Sequence, residues 1–222
     1  MIEIPSRRDA LVNAFLVLYV IVEASRRGLI HGRTKLMKLL YEAERELTRK
    51  NLRALSLTFI KWKYGPWSPE AQIDLKCLVD NLLVVEDQTT REIHPTPKGL
   101  EVLKSARELL DKNRVLIEVV NRVLQVHALD TGTVMKRRAY DTPVLEKGEL
   151  VEELKKGEVL LMPVNVEKAS RFFLIDDPWL ETIDLMIEKE SRDALEEILR
   201  RPKLPLSEYR PIEELEKEYG IR

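Results

Sequence analysis

Thirteen consecutive residues, Ala10 to Val22, carry no charge in a chain where 34% of residues are Asp, Glu, Lys or Arg. Such a run must be hidden from water, and at this length it is too short to span a bilayer. Arg7 and Arg8 precede it, as in a signal peptide, but Asp9 intervenes and Glu23 follows at once. Leu11, Phe15, Leu18 and Val22 recur at helical spacing, so the expectation is an amphipathic core helix rather than a leader or a span. Ser6-Arg7-Arg8-Asp9 is a capping signal for its start, and Gly28 marks its end.

The same device punctuates the rest of the chain. A second helix is expected from about Thr34 to Lys50, with Leu36, Leu39, Leu40, Ala43 and Leu47 as its apolar stripe. Ser68-Pro69-Glu70 opens a third, a capping hydroxyl followed by proline at the first helical position and an acid facing the dipole. That helix should reach about Asn81. Leu82 to Glu86 and Arg91 to His94 read as strands around a turn at Asp87 to Thr90, and Thr96-Pro97 opens the next helix. Helical pattern continues to about Ala128 in one or two pieces. Helix, short hairpin and "TPKG" helix start together resemble the recognition helix and wing of a winged helix.

The last third differs. A short helix should end at Leu154 to Gly157, and Glu158 to Val164 reads as a strand, with Pro163 favouring an edge. Phe172 to Ile175 would be its partner, or else the end of a short helix capped by Asn165. Asp177-Pro178 starts a helix with Leu180, Ile183, Ile187, Ala194 and Ile198 on one side. From Pro202 come three prolines and the acidic helix "PIEELEKEYG", which could dock on a neighbour or stay mobile until a partner orders it. Charge divides at the same place. Residues 1–140 hold 24 basic and 17 acidic side chains, a net of +7, and residues 141–222 a net of −8. The reading is therefore a mainly α, α+β fold: a helical domain with a winged-helix-like hairpin over 1–140, and an acidic α/β or helical extension over 141–222.

Chemistry-bearing motifs are sparse. Cys77 stands alone, which fits a reducing cytoplasm. With only His31, His94 and His127 beside it, no zinc ligand set can be assembled from spacing. No catalytic triad phrase, paired-carboxylate spacing or glycine-rich phosphate loop stands out. The expectation is a non-enzyme without cofactor or metal. Three glutamines against 75 charged side chains give the ion-pair-rich composition of a thermophile protein.

Two segments invite a binding role. Arg26 to Lys38 has five basic residues and no acid. Arg26, Arg27, Arg33, Lys35 and Lys38, with Arg91 on the wing, could grip the phosphates of duplex DNA, or simply form a solvated helix end. Lys136-Arg137-Arg138 reads the same way. The second segment is "FIKWKYGPW", where four of the chain's thirteen aromatics fall within nine residues. Aromatic side chains dominate both cores and recognition surfaces, so this is either a packed corner or a partner-binding patch. Alternation of Phe59, Lys61 and Lys63 with Ile60, Trp62 and Tyr64 fits an extended segment with one face inward. Gly65-Pro66 should turn the chain sharply before the helix at Ser68.

"KLMKLLYEAER", Lys35 to Arg45, followed by "FIKWKYGPWSPE", Phe59 to Glu70, resembles the Panacea domain, a SocA-like, phage-associated antitoxin family. The resemblance rests on Leu36, Lys38, Leu39, Leu40, Tyr41, Phe59, Trp62, Tyr64, Gly65 and Pro66, and covers roughly residues 8–130. Two departures stand out: this chain reads "NLRALSLT" where the family usually has a glycine and proline, and its extension over 141–222 is long. The resemblance implies an antitoxin that neutralises a cognate toxin by direct binding, with Tyr41, Phe59, Trp62, Tyr64, Gly65, Pro66 and Trp67 as partner-binding residues. A winged-helix DNA-binding regulator is the alternative. A homodimer is left open, and no membrane is involved.

Overall fold

The computed structural model describes residues 6–145 and 148–187. Helix α1 (Arg7–Ser25) begins with the expected capping box: the Ser6 hydroxyl accepts the Asp9 N–H, and the Asp9 carboxylate accepts the Ser6 N–H. Its burial is wider than an amphipathic stripe. Val12, Leu16 and Val20 are as deeply buried as Leu11, Phe15, Leu18 and Val22. A run with no charged face has nothing to offer water and needs neighbours on every side, so α1 is the axis of the core. Its one internal amide is satisfied: Asn13 Oδ1 accepts the Ser56 N–H at 2.7 Å.

Strand β1 (Ile30–His31) leads into α2 (Gly32–Arg49), and β2 (Leu52–Arg53) follows. Then β3 (Phe59–Trp62) and β4 (Gly65–Trp67) form a hairpin with Ile60 opposite Trp67 and Trp62 opposite Gly65. The reversal lies at Lys63-Tyr64, one step earlier than the expected turn at Gly65-Pro66. Gly65, at φ +94°, supplies the left-handed residue that closes a tight hairpin, and Pro66 sits in the returning strand.

Helix α3 (Pro69–Asp80) starts as expected, the Ser68 hydroxyl accepting the Ala71 N–H at 3.3 Å. Strands β5 (Val84–Glu86) and β6 (Glu92–Pro95) pair antiparallel, with β6 central between β1 and β5. Thr96 caps α4 (Pro97–Ser105) through the Gly99 N–H. The helical stretch that follows breaks into more pieces than expected: α5 (Arg107–Lys112) and α6 (Arg114–His127) come after α4. The second break has a use. The side chain of Asn113 donates to the Leu174 carbonyl at 2.7 Å and accepts its N–H at 2.6 Å, so a buried amide straps the C-terminal segment to the bundle.

After α7 (Gly132–Asp141), a 3-10 turn at Val151–Glu153 replaces the expected short helix. Strand β7 (Val159–Leu161) pairs antiparallel with β3, giving the order β4-β3-β7. It does not pair with the segment at Phe172. Instead β8 (Arg171–Phe172) runs parallel to β2, and Asn165 caps an intervening turn, not a helix. The two strands therefore meet different partners. Helix α8 (Asp177–Ile187) then packs on α1, with Ile183 buried. Val144, Val151, Leu160, Phe173 and Ile175 join the same apolar cluster as α1 and α2, and the Phe15 and Phe173 rings lie 6.2 Å apart. Ala194, Ile198 and the stretch from Pro202 lie outside the described residues. The architecture is mainly α within α+β: eight helices around small sheets of two or three strands among the described residues. None of those helices is long and apolar enough to cross a membrane.

Candidate functional site

The β3–β4 hairpin divides its aromatics between two environments. Phe59 is fully buried and meets Tyr41 of α2 edge-on, ring centroids 5.4 Å apart. Tyr41 is buried too, and that burial pushes its phenol up to about 12. These two residues, expected on a partner-binding patch, are core: Tyr41 offers Phe59 an apolar seat, which turns the Phe59 side of β3 inward. The side carrying Trp62 faces out, which settles the orientation that the alternation alone left open. Trp62 is 41% exposed and Tyr64 51%. Opposite Trp62 stands Gly65, without a side chain, so the Trp62 ring leans diagonally onto Trp67, stacked at 5.8 Å and 28°.

Gly65 and Pro66 are buried beneath this shelf and shape it. A Cβ on Gly65 would lie 2.9 Å from the Tyr140 ring and 3.3 Å from Lys38 Nζ. Lys38 is only 2% exposed and donates to the Pro66 carbonyl at 2.7 Å. Burial, helped by nearby Lys136, lowers its ammonium to about 7. A cavity of about 220 Å³ opens beside it, lined by Thr34, Lys38, Trp62, Tyr64, Trp67 and Gln72 among others.

Cations crowd the rim. The Lys156 ammonium lies 4.0 Å from the centroid of the Trp62 ring, Lys63 and Lys136 lie 5.3 and 5.6 Å from that of Tyr64, and Lys136 also covers Tyr140 at 5.6 Å. Lys61 reaches from β3 to the carbonyls of Glu152 and Leu154. Burial, and then Glu152, raise the Tyr140 phenol above its ordinary value.

The basic stretch from Arg26 behaves differently. Arg26 and Arg27 both pair with Glu23. Arg33 grips Glu86 through Nε at 2.8 Å and Nη2 at 2.6 Å, which raises its own ionisation further. Lys35, expected at a phosphate, is buried and donates to the carbonyls of Leu29 and Ala128, both at 2.7 Å. Lys35 and Lys38 are thus corrections: each long stem is covered by neighbouring elements, and each ammonium caps backbone carbonyls instead of facing solvent. Only Arg91 of the six sits exposed at a hairpin tip, with φ +62°. In the basic trio, Arg137 pairs with Asp141 at 3.7 Å and Arg138 with Asp130 at 2.7 Å, beside His127.

Three contributors to the corner escaped the sequence reading: Lys63, Tyr140 and Lys156. Lys63 was visible in the aromatic phrase itself. Tyr140 and Lys156 reach the corner only through the packing of α7 and the approach to β7, which no local pattern announces. Among the described residues, no group of three His, Cys, Asp or Glu side chains converges as a metal site, and Cys77 is a half-buried thiol on α3. Comparisons with family models, with curated proteins and with solved structures find no match to this chain.

Proposed function

We propose that this protein is a non-enzymatic interaction module of the cytoplasm, an antitoxin that neutralises a cognate toxin by direct binding. One observation carries the reading: exposed Trp62 and Tyr64, with half-buried Trp67 stacked on Trp62, form a shelf on a hairpin fixed from below by Tyr41, Phe59 and Lys38. Large aromatics left in water on a rigid support are what hot spots of protein interfaces are built from. Resemblance of Lys35 to Arg45 and Phe59 to Glu70 to the Panacea phrases adds the antitoxin sense. Co-expression with the adjacent reading frame tests it: that product should be toxic alone, harmless together, and should co-purify. Toxicity unaffected by this chain sinks the reading.

A DNA-binding regulator is the second reading, favoured by the order α1-β1-α2, α3, β5-β6 with a three-stranded sheet and Arg91 at the hairpin tip. The outer side of α3 weighs against it. Exposed there are Ile73, Lys76 and Asp80, and Lys76 is paired with Asp80. A helix reading a major groove would turn uncompensated cations outward. A duplex gel shift that fades steeply with salt would establish the regulator, and no shift at low salt would remove it.

A further inference from the structure

Several surface cations are neutralised by a neighbouring carboxylate. Arg33 holds Glu86, Arg49 holds Glu46, Lys76 holds Asp80 and Arg114 holds Glu118. At the aromatic corner, lysines without such partners gather around aromatic rings. Lys38, Lys61, Lys63, Lys136 and Lys156 converge there from four separate stretches of chain. None of them has a carboxylate partner among the described residues; their ammonium groups rest on ring faces or backbone carbonyls.

We infer that this corner recognises an acidic segment of a protein partner, laid across Trp62, Tyr64 and Trp67 with one carboxylate entering the cavity beside Lys38. This rests on the protein-binding reading and adds the partner's charge and its anchor. Size favours a side chain over a small-molecule ligand. The 220 Å³ cavity is smaller than the roughly 300–1,000 Å³ of drug-sized sites. Its chemistry suits a carboxylate: an ammonium with protons to spare beyond the one on Pro66, the Thr34 hydroxyl and the Gln72 amide, under aromatic walls. Three rim lysines held near aromatic rings complete a surface complementary to clustered Asp and Glu.

A nucleic-acid strand fits less well. Base stacking needs an open ring face. Trp62 already stacks on Trp67 and carries Lys156, and Tyr64 carries Lys63 and Lys136.

Tryptophan fluorescence of the full chain, titrated with poly-L-glutamate, poly-L-lysine and oligothymidylate at low and high salt, tests the inference. Poly-L-glutamate should change the signal saturably at low salt, and K63Q/K136Q/K156Q should weaken the effect about tenfold or more without moving the unfolding midpoint. No response, an equal response to poly-L-lysine, tighter binding of oligothymidylate, or a triple variant that binds like the parent would each overturn it. The co-expressed neighbour separates the two ideas. If the triple variant still holds that partner at undiminished affinity, the corner assignment falls and the antitoxin reading stands. If no neighbour is neutralised but poly-L-glutamate binding depends on the lysines, the reverse holds.

Discussion

Two antiparallel hairpins in this molecule are built from similar backbone and finished in opposite ways. The β5–β6 hairpin closes on itself: Asp87 Oδ1 accepts the N–H groups of Thr89 and Thr90, both at 2.7 Å, and Arg33 clamps Glu86. Apart from Arg91 at its exposed tip, its turn and its Glu86 are held by its own neighbours. The β3–β4 hairpin is closed below and open above, with Phe59 in the core and Trp62, Tyr64 and unpaired lysines turned to solvent. In a chain with few chemical motifs, that contrast marks the β3–β4 hairpin as the more open of the two surfaces. The β5–β6 turn is held by local bonds, whereas the β3–β4 hairpin presents aromatics and lysines on which the proposed binding role can be tested.

The sharpest way to break this contrast is inside β3 itself. Phe59→Ala removes a fully buried ring and should cost about 3–5 kcal/mol in denaturant unfolding. Trp62→Ala, three residues on, should stay within about 1 kcal/mol while abolishing partner capture. If Trp62→Ala unfolds the protein as Phe59→Ala does, the shelf is core and its interface role fails.

Next comes Lys38, whose effect depends on pH. Its folded ammonium loses its proton near 7, against 10.5 for the free side chain. Between those values the unfolded chain holds more protons than the folded one, so the Lys38 contribution makes stability rise with pH. Relative to Lys38→Met, the parent should gain on the order of 3–4 kcal/mol between pH 7 and 10. Parallel stability curves for the two proteins would refute the buried position of this amine.

Gly65→Ala should cost about 2 kcal/mol, since it combines φ +94° with a Cβ 2.9 Å from the Tyr140 ring. It should also tilt the shelf and weaken partner binding. The smallest effect belongs to the other hairpin. Glu86→Gln loosens the half-exposed Arg33 clamp and should shift stability by about 1 kcal/mol or less. Partner binding should not change, and a loss there would erase the distinction between the hairpins.

Helix starts were legible in the sequence because capping is local. Ser6, Ser68 and Thr96 each bond an N–H three residues on, and the phrase that announces the cap contains both partners. The β5–β6 turn was readable for the same reason. Strand alternation in Phe59 to Tyr64 marked two faces but not which one lay inside, because Tyr41, eighteen positions back, decides it. Pairing of β7 with β3 and of β8 with β2 joins segments about a hundred residues apart, beyond any local rule. Lys35 and Lys38 misled most. In sequence they are charges near a helix start, and only the surrounding fold shows that their stems are covered and their ammonium groups capped by carbonyls.

The sheathing of α1 has a consequence for how the molecule is made. Phe15 packs against Phe173, and α8 lies along a helix that left the ribosome some 150 residues earlier. Until the far end of the chain is synthesised, that apolar flank has no native cover. A chain cut short before Phe173 should therefore expose that flank and aggregate rather than form a shorter folded protein.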